Sequence, residues 1–408
     1  MLEEIIKNSK KDLEKVFTKI DEIEEYNSSK VLDSFIKNNI SASDFNSTTG
    51  YGYNDTGRDK IEKVFADIFK TEAALVRCQF ISGTHALTTC FFALLRPGDT
   101  LLSISGKPYD TLDSVIGFND NSSSLKAFNI KYEQIDLIDN DFDYAKIEEF
   151  LKNNRVKVIE IQRSKGYSTR DSISIDKIEK VIKLIKNIDK EVIVMIDNCY
   201  CEMVTTKEPT EAGADICVGS LIKNLGGAIT SNGGYIVGRE DLVNLCAERL
   251  NVPGQALEVG PSLNQNRYIL EGLYFSPMVV SSALKTAIYT SYIMEKLGYA
   301  VSPKYNEERV DIVQNIIFNN EKDLIEYVRG IQFNSKIDSN AMIMPSEMPG
   351  YDSKIIMASG SFTDGSSIEL SCDGPLRSPY IAYQQGSISY KYGKIIVTRA
   401  IEHLLKNK

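Results

Sequence analysis

From Ala73 to Gly238, apolar runs of strand length alternate with stretches of helical periodicity. AALVRCQF precedes SGTHALTTCFFALL, and the strand-like DTLLSIS precedes a helix-like DTLDSVIG. KAFNIKYEQIDL precedes FDYAKIEEFLKNN, and VKVIEIQ precedes SIDKIEKVIKLIKNI. Val192–Ile196, Ile216–Gly219 and Gly233–Gly238 continue the strand series, and a helix opens at Glu240. Short apolar runs bounded by turns read as strands buried on both faces, and the i, i+3, i+4 segments between them read as covering helices. Such alternation over roughly 200 residues dictates an α/β fold with a mostly parallel sheet. Ligands of such sheets sit beyond the carboxyl ends of the strands.

The residues at those ends are therefore the first candidates for a site. They are Ser82, Gly83 and Thr84, then Tyr109, Arg163, Asp197, Ser220 and Lys223. Ser82-Gly83-Thr84 ends one strand and opens a helix. The free N–H groups and the positive dipole end of a helix start make an anion site there. Ser or Thr at such a position is also an ordinary cap. Asp197 and Lys223 each follow their own apolar run, and Lys223 precedes Gly226-Gly227. A primary amine is needed to form an imine with an aldehyde, and a carboxylate is needed to hold a pyridine nitrogen protonated. Together with an anion cup, they are what pyridoxal phosphate (PLP) requires. Taken singly, Asp197 reads equally well as a helix cap and Lys223 as a solvated loop lysine.

Other candidates are weaker. Tyr109, just beyond a strand, is placed to stack on a flat ring or to pack at a loop edge. A Gly-, Ser- and Thr-rich loop bears Tyr51, Tyr53 and Arg58, whose hydroxyls and guanidinium suit a phosphate; ordinary turn chemistry explains it as well. Arg377, in the proline-flanked DGPLRSPYIAYQQGS, is a candidate clamp for a substrate carboxylate or a surface arginine.

The N-terminal segment reads as two helices with Ile5, Ile6, Leu13, Val16, Phe17 and Ile20 on one face. A long helix is expected from Met278 to about Leu297. Beyond it, YNEERVDIVQNIIF reads as a helix, KIIMASGSF and SIELS as strands, and the C-terminus as a helix. Three units are expected: N-terminal helices and arm at 1–60, a large cofactor-binding domain at 61–280, and a small α+β domain at 281–408. A net charge of −9 disfavours nucleic-acid or anionic-membrane surfaces. The seven cysteines and two histidines show no zinc-ligand spacing, so no metal site is expected and the cysteines read as reduced. With no signal-peptide core and no membrane-length apolar run, the expected location is the cytoplasm.

GYGYNDTGRDKIE, SGTHAL, KPYDTL, IDNCY, GSLIKNLGG and DGPLRSPYIAYQQG together resemble a fold-type I, aspartate aminotransferase-like PLP enzyme. Within that group the whole chain is most similar to the methionine γ-lyase and cystathionine β-lyase branch that includes the aluminium resistance proteins. The resemblance implies that Lys223 is the Schiff-base lysine and Asp197 the partner of the ring nitrogen. It implies that Gly83, Thr84 and Ser220 hold the phosphate, with Tyr109 on the ring. Tyr53 and Arg58 would reach a neighbouring subunit's phosphate site, in a homodimer or homotetramer with shared active sites. Three departures stand out. Tyr53 and Arg58 are five positions apart where the family has two. Gln162–Tyr167 replaces an Asn-Pro motif that touches the ring hydroxyl. Ile368-Glu369-Leu370-Ser371 lacks the substrate arginine, for which Arg377, Arg163 or Tyr51 would substitute.

The implied activity is carbon–sulfur bond cleavage in a sulfur amino acid. Another PLP-dependent reaction (aldolase, decarboxylase or transferase) and a non-catalytic stress-related role on the same fold remain open alternatives from sequence.

Overall fold

The structure is a computed structural model and describes residues 2–348 and 353–408. The chain begins with helices α1 (Leu2–Asp12), α2 (Glu14–Lys37) and α3 (Thr56–Phe69). The alternating segment then runs β1 (Ala73–Arg77), α4 (Gly83–Leu94), β2 (Thr100–Ser103), the short α5 (Asp113–Ile116), β3 (Lys131–Gln134) and α6 (Tyr144–Asn153). It continues through β4 (Val158–Gln162), α7 (Ile175–Ile188), β5 (Ile193–Asp197), β6 (Ile216–Ser220), β7 (Gly234–Gly238) and α8 (Glu240–Leu250). After α9 (Asn266–Lys296) come β8 (Ala300–Ser302), β9 (Val313–Phe318), α10 (Glu321–Phe333), β10 (Ile355–Ala358), β11 (Ser371–Pro375), β12 (Tyr380–Gln385) and α11 (Tyr390–Asn407).

Seven strands form one sheet in the order β1-β7-β6-β5-β4-β2-β3. β7 is antiparallel to both of its neighbours, and the other pairs are parallel. Every residue of β4, β5, β6 and β7 is buried, which is why these strands read as unbroken apolar runs. The helices on either face start where polar side chains can cap them. Asp55 accepts from the Arg58 N–H at 3.0 Å, and Ser82 from the His85 N–H at 3.1 Å. The N-terminal helices pack back on the body. Leu13 and Ile20 are buried, and the α2 residue Asn27 donates to the carbonyls of Met203 and Thr205 at 3.0 and 3.2 Å. That bond ties α2 to the chain just beyond Asp197.

A second, antiparallel sheet has the order β10-β11-β12-β9-β8 and carries α10 and α11. The α/β class, the mostly parallel large sheet and the smaller α+β portion are thus as the sequence implies. Three local expectations differ. Residues 313–318, expected to lie in a helix, form β9: VQNIIF is apolar enough for either, and pairing with all six residues of β12 decides it. SIELS is not a strand; Ser367–Glu369 make a 3-10 turn, Leu370 takes φ +88°, and β11 starts at Ser371. The long helix starts at Asn266, twelve residues before Met278, and runs through Pro277. Proline cannot donate to the carbonyl four residues back, that of Leu273. The Ser276 hydroxyl donates to that carbonyl instead, at 2.8 Å. A boundary at residue 280 therefore falls inside one continuous helix.

The middle of α9 supports the loop after β6. A Cβ on Gly272 would stand 2.3 Å from the Gly226 carbonyl oxygen and 2.5 Å from Thr230 Oγ1. Gly227, at φ +53°, faces the same stretch of helix, with its Cβ direction 2.2 Å from the Gly272 oxygen. Loop and helix thus touch backbone to backbone, which only glycines allow. Gly272→Ala is expected to lower stability by roughly 1–3 kcal/mol in denaturant titration and to disturb the loop that begins at Lys223. An unchanged unfolding midpoint would show that the contact is slack.

Candidate active site

The carboxyl ends of β4, β5 and β6 lie side by side. Gln162 is in register with Asp197, and Asp197 with Val218, two residues before Ser220. The first turn of α4 closes over them. A Cβ on Gly83 would lie 3.2 Å from Ser220 Cβ and 3.4 Å from Cys199 Sγ, so the glycine sets how near the helix start comes to the sheet. Between these elements is a cleft with about 670 Å³ of empty volume. Ser82, Gly83, Thr84, Tyr109, Asp197, Ser220 and Lys223 all line it. These seven are the residues that the strand-end reading singled out, apart from Arg163.

Asp197 is buried at the end of β5, and its Oδ1 accepts the Cys199 N–H at 3.0 Å. Burial raises its carboxyl above the ordinary range, against the opposing pull of the Lys223 charge and the Cys199 bonds. Lys223 Nζ lies 4.0 Å from the centre of the Tyr200 ring, a cation–π contact. Burial pulls its ammonium down, but neighbouring acids outweigh this and raise it overall: Cys199, then Tyr200, Asp197 and Glu202. The Cys199 thiol is itself pushed well up by burial, and the Glu202 carboxyl is pushed up to about 8, so near neutral pH the acid that holds the Lys223 charge is Asp197. Tyr200 sits at φ +72°, in left-handed backbone that a non-glycine residue rarely adopts. That turn directly after β5 sets the ring beneath Lys223.

The start of α4 and Ser220, expected to form an anion cup, line one side of the cleft. The Ser82 hydroxyl is spent on the His85 N–H, while the Thr84 and Thr111 hydroxyls are hydrogen-bonded at 2.8 Å. The start of α4 faces the cleft beside the Ser220 hydroxyl, which accepts the Ile222 N–H at 3.3 Å.

Five expected residues are not brought into the cleft. Arg58 is buried within its own protomer. Its Nη1 donates to the carbonyls of Gly52 and Gly260 at 2.7 and 2.9 Å, and its Nε and Nη2 donate to Asp59 at 3.0 and 2.9 Å. Those buried carbonyls need donors, so Arg58 buttresses the loop and does not reach outward. Tyr51 and Tyr53, 71% and 52% exposed, stand on that loop with ring centres 5.8 Å apart. Arg163 is wholly buried, with Nη1 on Asn198 Oδ1 at 2.9 Å and Nε on the Ile173 carbonyl at 3.2 Å; it braces the β5 turn. Arg377 lies in the β11–β12 turn, exposed, and donates to the Tyr167 carbonyl at 3.3 Å. Among the described residues that line the cleft, Lys223 is the single basic side chain.

Several cleft residues were not legible from sequence. Gln162 lines the cleft with Nε2 on the Ser164 carbonyl at 2.9 Å, and its buried Oε1 has no partner among the described residues. Register beside Asp197 is the signal that could have found it. Cys199 and Tyr200 follow Asp197 directly, and their role depends on the turn they make. Two further buried carboxyls lie behind the site. Glu160 Oε2 accepts from the Ser103 hydroxyl at 3.0 Å, and Glu202 Oε1 from the Tyr235 hydroxyl at 2.9 Å; the second oxygen of each has no partner among the described residues. Burial pushes both up to about 8.

The sequence matches the methionine gamma-lyase family over residues 2–405. The chain belongs to that family. It is 43% identical to the uncharacterized Bacillus subtilis protein YnbB over 400 residues, 97% of this chain and 95% of YnbB. Among solved structures it resembles a carbon–sulfur lyase involved in aluminum resistance from Clostridium novyi, at TM-score 0.94 and 44% identity, over 98% of this chain and 95% of that one. It also resembles a Clostridium acetobutylicum protein described as a candidate cystathionine beta-lyase involved in aluminum resistance. There the TM-score is 0.96 and the identity 46%, over 99% of this chain and 95% of that one. The fold is that of fold-type I PLP-dependent enzymes, and family membership implies PLP. The cleft fits that group. It offers one half-buried amine, one buried carboxylate in the same cleft, a helix start with a serine hydroxyl for a phosphate, and on Gln162, at the adjacent strand end, an acceptor with no partner among the described residues.

The buried acids give a pH signature. Folding raises the Glu202 carboxyl from 4.5 to about 8, so the folded chain keeps a proton that the unfolded chain releases. Its contribution is fullest below pH ~4.5 and is lost as the pH rises toward ~8. Glu202→Gln keeps the shape and removes the titration. Its melting temperature is expected to fall less than the parent's between about pH 5 and pH 8, by the equivalent of roughly 1 kcal/mol or more. Parallel curves for parent and variant would refute the assignment.

Proposed function

We propose that this chain is a PLP-dependent carbon–sulfur lyase that removes a thiol from a sulfur-containing amino acid and releases a 2-oxo acid and ammonia. The observation that carries the reading is the meeting of Lys223 and the buried Asp197 in one cleft under the start of α4. The likeness to the Clostridium novyi carbon–sulfur lyase supports it. Lys223 offers the amine for covalent attachment, Asp197 the ring-nitrogen partner, and Gly83, Thr84 and Ser220 the phosphate contacts. When bound, PLP supplies an electron-withdrawing ring in conjugation with the substrate's α-carbon.

The remaining steps belong to the protein. The Lys223 amine, freed by the substrate's own amine, takes the α-proton. Its neighbour Asp197 favours the ammonium that results. Asp197 stays ionised against its burial because it gains a cationic partner. Tyr109 stands at the cleft wall, where its hydroxyl can hand a proton to the departing sulfur. Arg377, at the small-sheet side, is the candidate partner of the substrate carboxylate. The C–S bond breaks, the thiolate leaves with a proton, and water releases the 2-oxo acid and ammonia.

We further infer that two copies share each site. A phosphate beside Ser82–Thr84 has no arginine from its own protomer lining the cleft, while Tyr51 and Tyr53 project outward on a loop braced by Arg58. A homodimer or homotetramer would bring them to a neighbouring cleft.

The purified protein, loaded with PLP, is expected to release a 2-oxo acid from at least one of cystathionine, cysteine, methionine and homocysteine. Pyruvate from cystathionine or cysteine marks β-elimination, and 2-oxobutyrate from methionine or homocysteine marks γ-elimination. Lys223→Ala is expected to lower the rate by at least about 10³-fold, since it removes both attachment and base. Full turnover in that variant would sink the role of Lys223. PLP binding without any 2-oxo acid would move the assignment to another PLP-dependent amino-acid reaction.

A further inference from the structure

Three tyrosine rings link the small sheet to the cleft. Tyr383, on β12, has its ring centre 5.0 Å from that of Tyr167, which lies in the turn after β4. Tyr167 in turn lies 5.8 Å from Tyr109, with the rings tilted by 57°. Tyr109 lines the cleft. Gly166, at φ +57°, lets the backbone come close to it: a Cβ there would stand 3.2 Å from Tyr109 Cδ2.

The middle ring is held from the small sheet. The Tyr167 hydroxyl donates to Asp373 Oδ2 at 2.9 Å, and the Tyr167 carbonyl accepts from Arg377 at 3.3 Å. Asp373 is buried on β11, and the same Oδ2 accepts from Gln385 Nε2 on β12 at 3.2 Å. That amide also reaches the Ser371 hydroxyl at 3.2 Å. The carboxylate is thus fixed by its own sheet and turned toward a residue outside it. Burial raises its carboxyl to about 6 while the Tyr167 and Gln385 bonds pull it down, so near neutrality it accepts a charge-assisted bond. None of the chemistry proposed for Lys223 and Asp197 uses this group. Among the described residues, its one hydrogen bond beyond the small sheet goes to Tyr167.

We propose that Asp373 is a positioning residue for the cofactor-facing wall of the cleft: by holding the Tyr167 hydroxyl it sets the Tyr167 ring, and through that ring the ring of Tyr109. The small sheet, which contributes none of the residues lining the cleft floor, would then govern the geometry of its wall. This inference rests on the PLP reading of the cleft.

The test is equilibrium PLP binding to the full chain, together with the visible circular dichroism of the bound chromophore. It compares the parent with Tyr167→Phe, Asp373→Ala, the double variant and Asp373→Asn. Each of the first two single variants is expected to weaken PLP binding about three- to tenfold, the scale of one aromatic pair. Both are expected to change the dichroic band in the same way. The double variant is expected to be no worse than either single one, because one bond is lost in each case. Asp373→Asn keeps an acceptor and is expected to retain most of the parent's affinity and band. Tyr167→Phe removes a single oxygen and carries the test if Asp373→Ala fails to fold. Variants that match the parent in affinity and band, or losses that add in the double variant, overturn this proposal alone. A parent that takes up no PLP overturns the cofactor reading and this proposal with it.

Discussion

Lys223 and Asp197 bring opposite charges into one cleft, Asp197 buried and Lys223 half-buried, and the architecture of the chain is arranged to make that tolerable. An isolated buried ion is unstable by several kcal/mol, and a buried pair holds only if further hydrogen bonds satisfy it. Here the Cys199 N–H binds Asp197, and the Tyr200 ring meets the ammonium. The turn that supplies both is braced by Arg163 on Asn198 and by Asn27 of α2 on Met203 and Thr205. On the other side, the loop after Lys223 rests on the backbone of α9 at Gly272. Each support comes from a different part of the sequence, so the reactive pair depends on nearly the whole large sheet and its helices being in place.

The same arrangement explains which parts of the site were legible in sequence. Strands buried on both faces appear as apolar runs, and their ends mark where polar groups converge. Ser82, Asp197, Ser220 and Lys223 were therefore findable, as was the anion cup at the start of α4. The arginines were not. Arg58 and Arg163 look like ligands in a loop and at a strand end, yet each is used up by buried carbonyls and side chains that only the folded chain brings near. Gln162, Glu160 and Glu202 sit in ordinary apolar or turn contexts, and only strand register and burial reveal them. In the fold, VQNIIF suits either period, and only its partner β12 makes it a strand. Pro277 reads as a helix end until Ser276 is seen to satisfy the carbonyl it leaves free.

The cleft is asymmetric. Its floor, with the amine, the carboxylate and the anion cup, belongs to the large sheet. Its wall runs through Tyr109 and Tyr167 to Asp373, Tyr383 and Arg377 of the small sheet. Of the departures that the sequence shows from the family pattern, Gln162 lies beside Asp197 at the cleft floor, Tyr167 at the wall, and Ile368–Ser371 at the start of β11.

The most direct test of the central claim is to reduce the PLP-loaded protein with borohydride, digest it and locate the modified peptide by mass spectrometry. Pyridoxyl modification confined to Lys223, and lost in Lys223→Ala, is the result this structure requires. Modification at another lysine, or none in a protein that has taken up the cofactor, would contradict the assignment of the Lys223–Asp197 cleft as the PLP site.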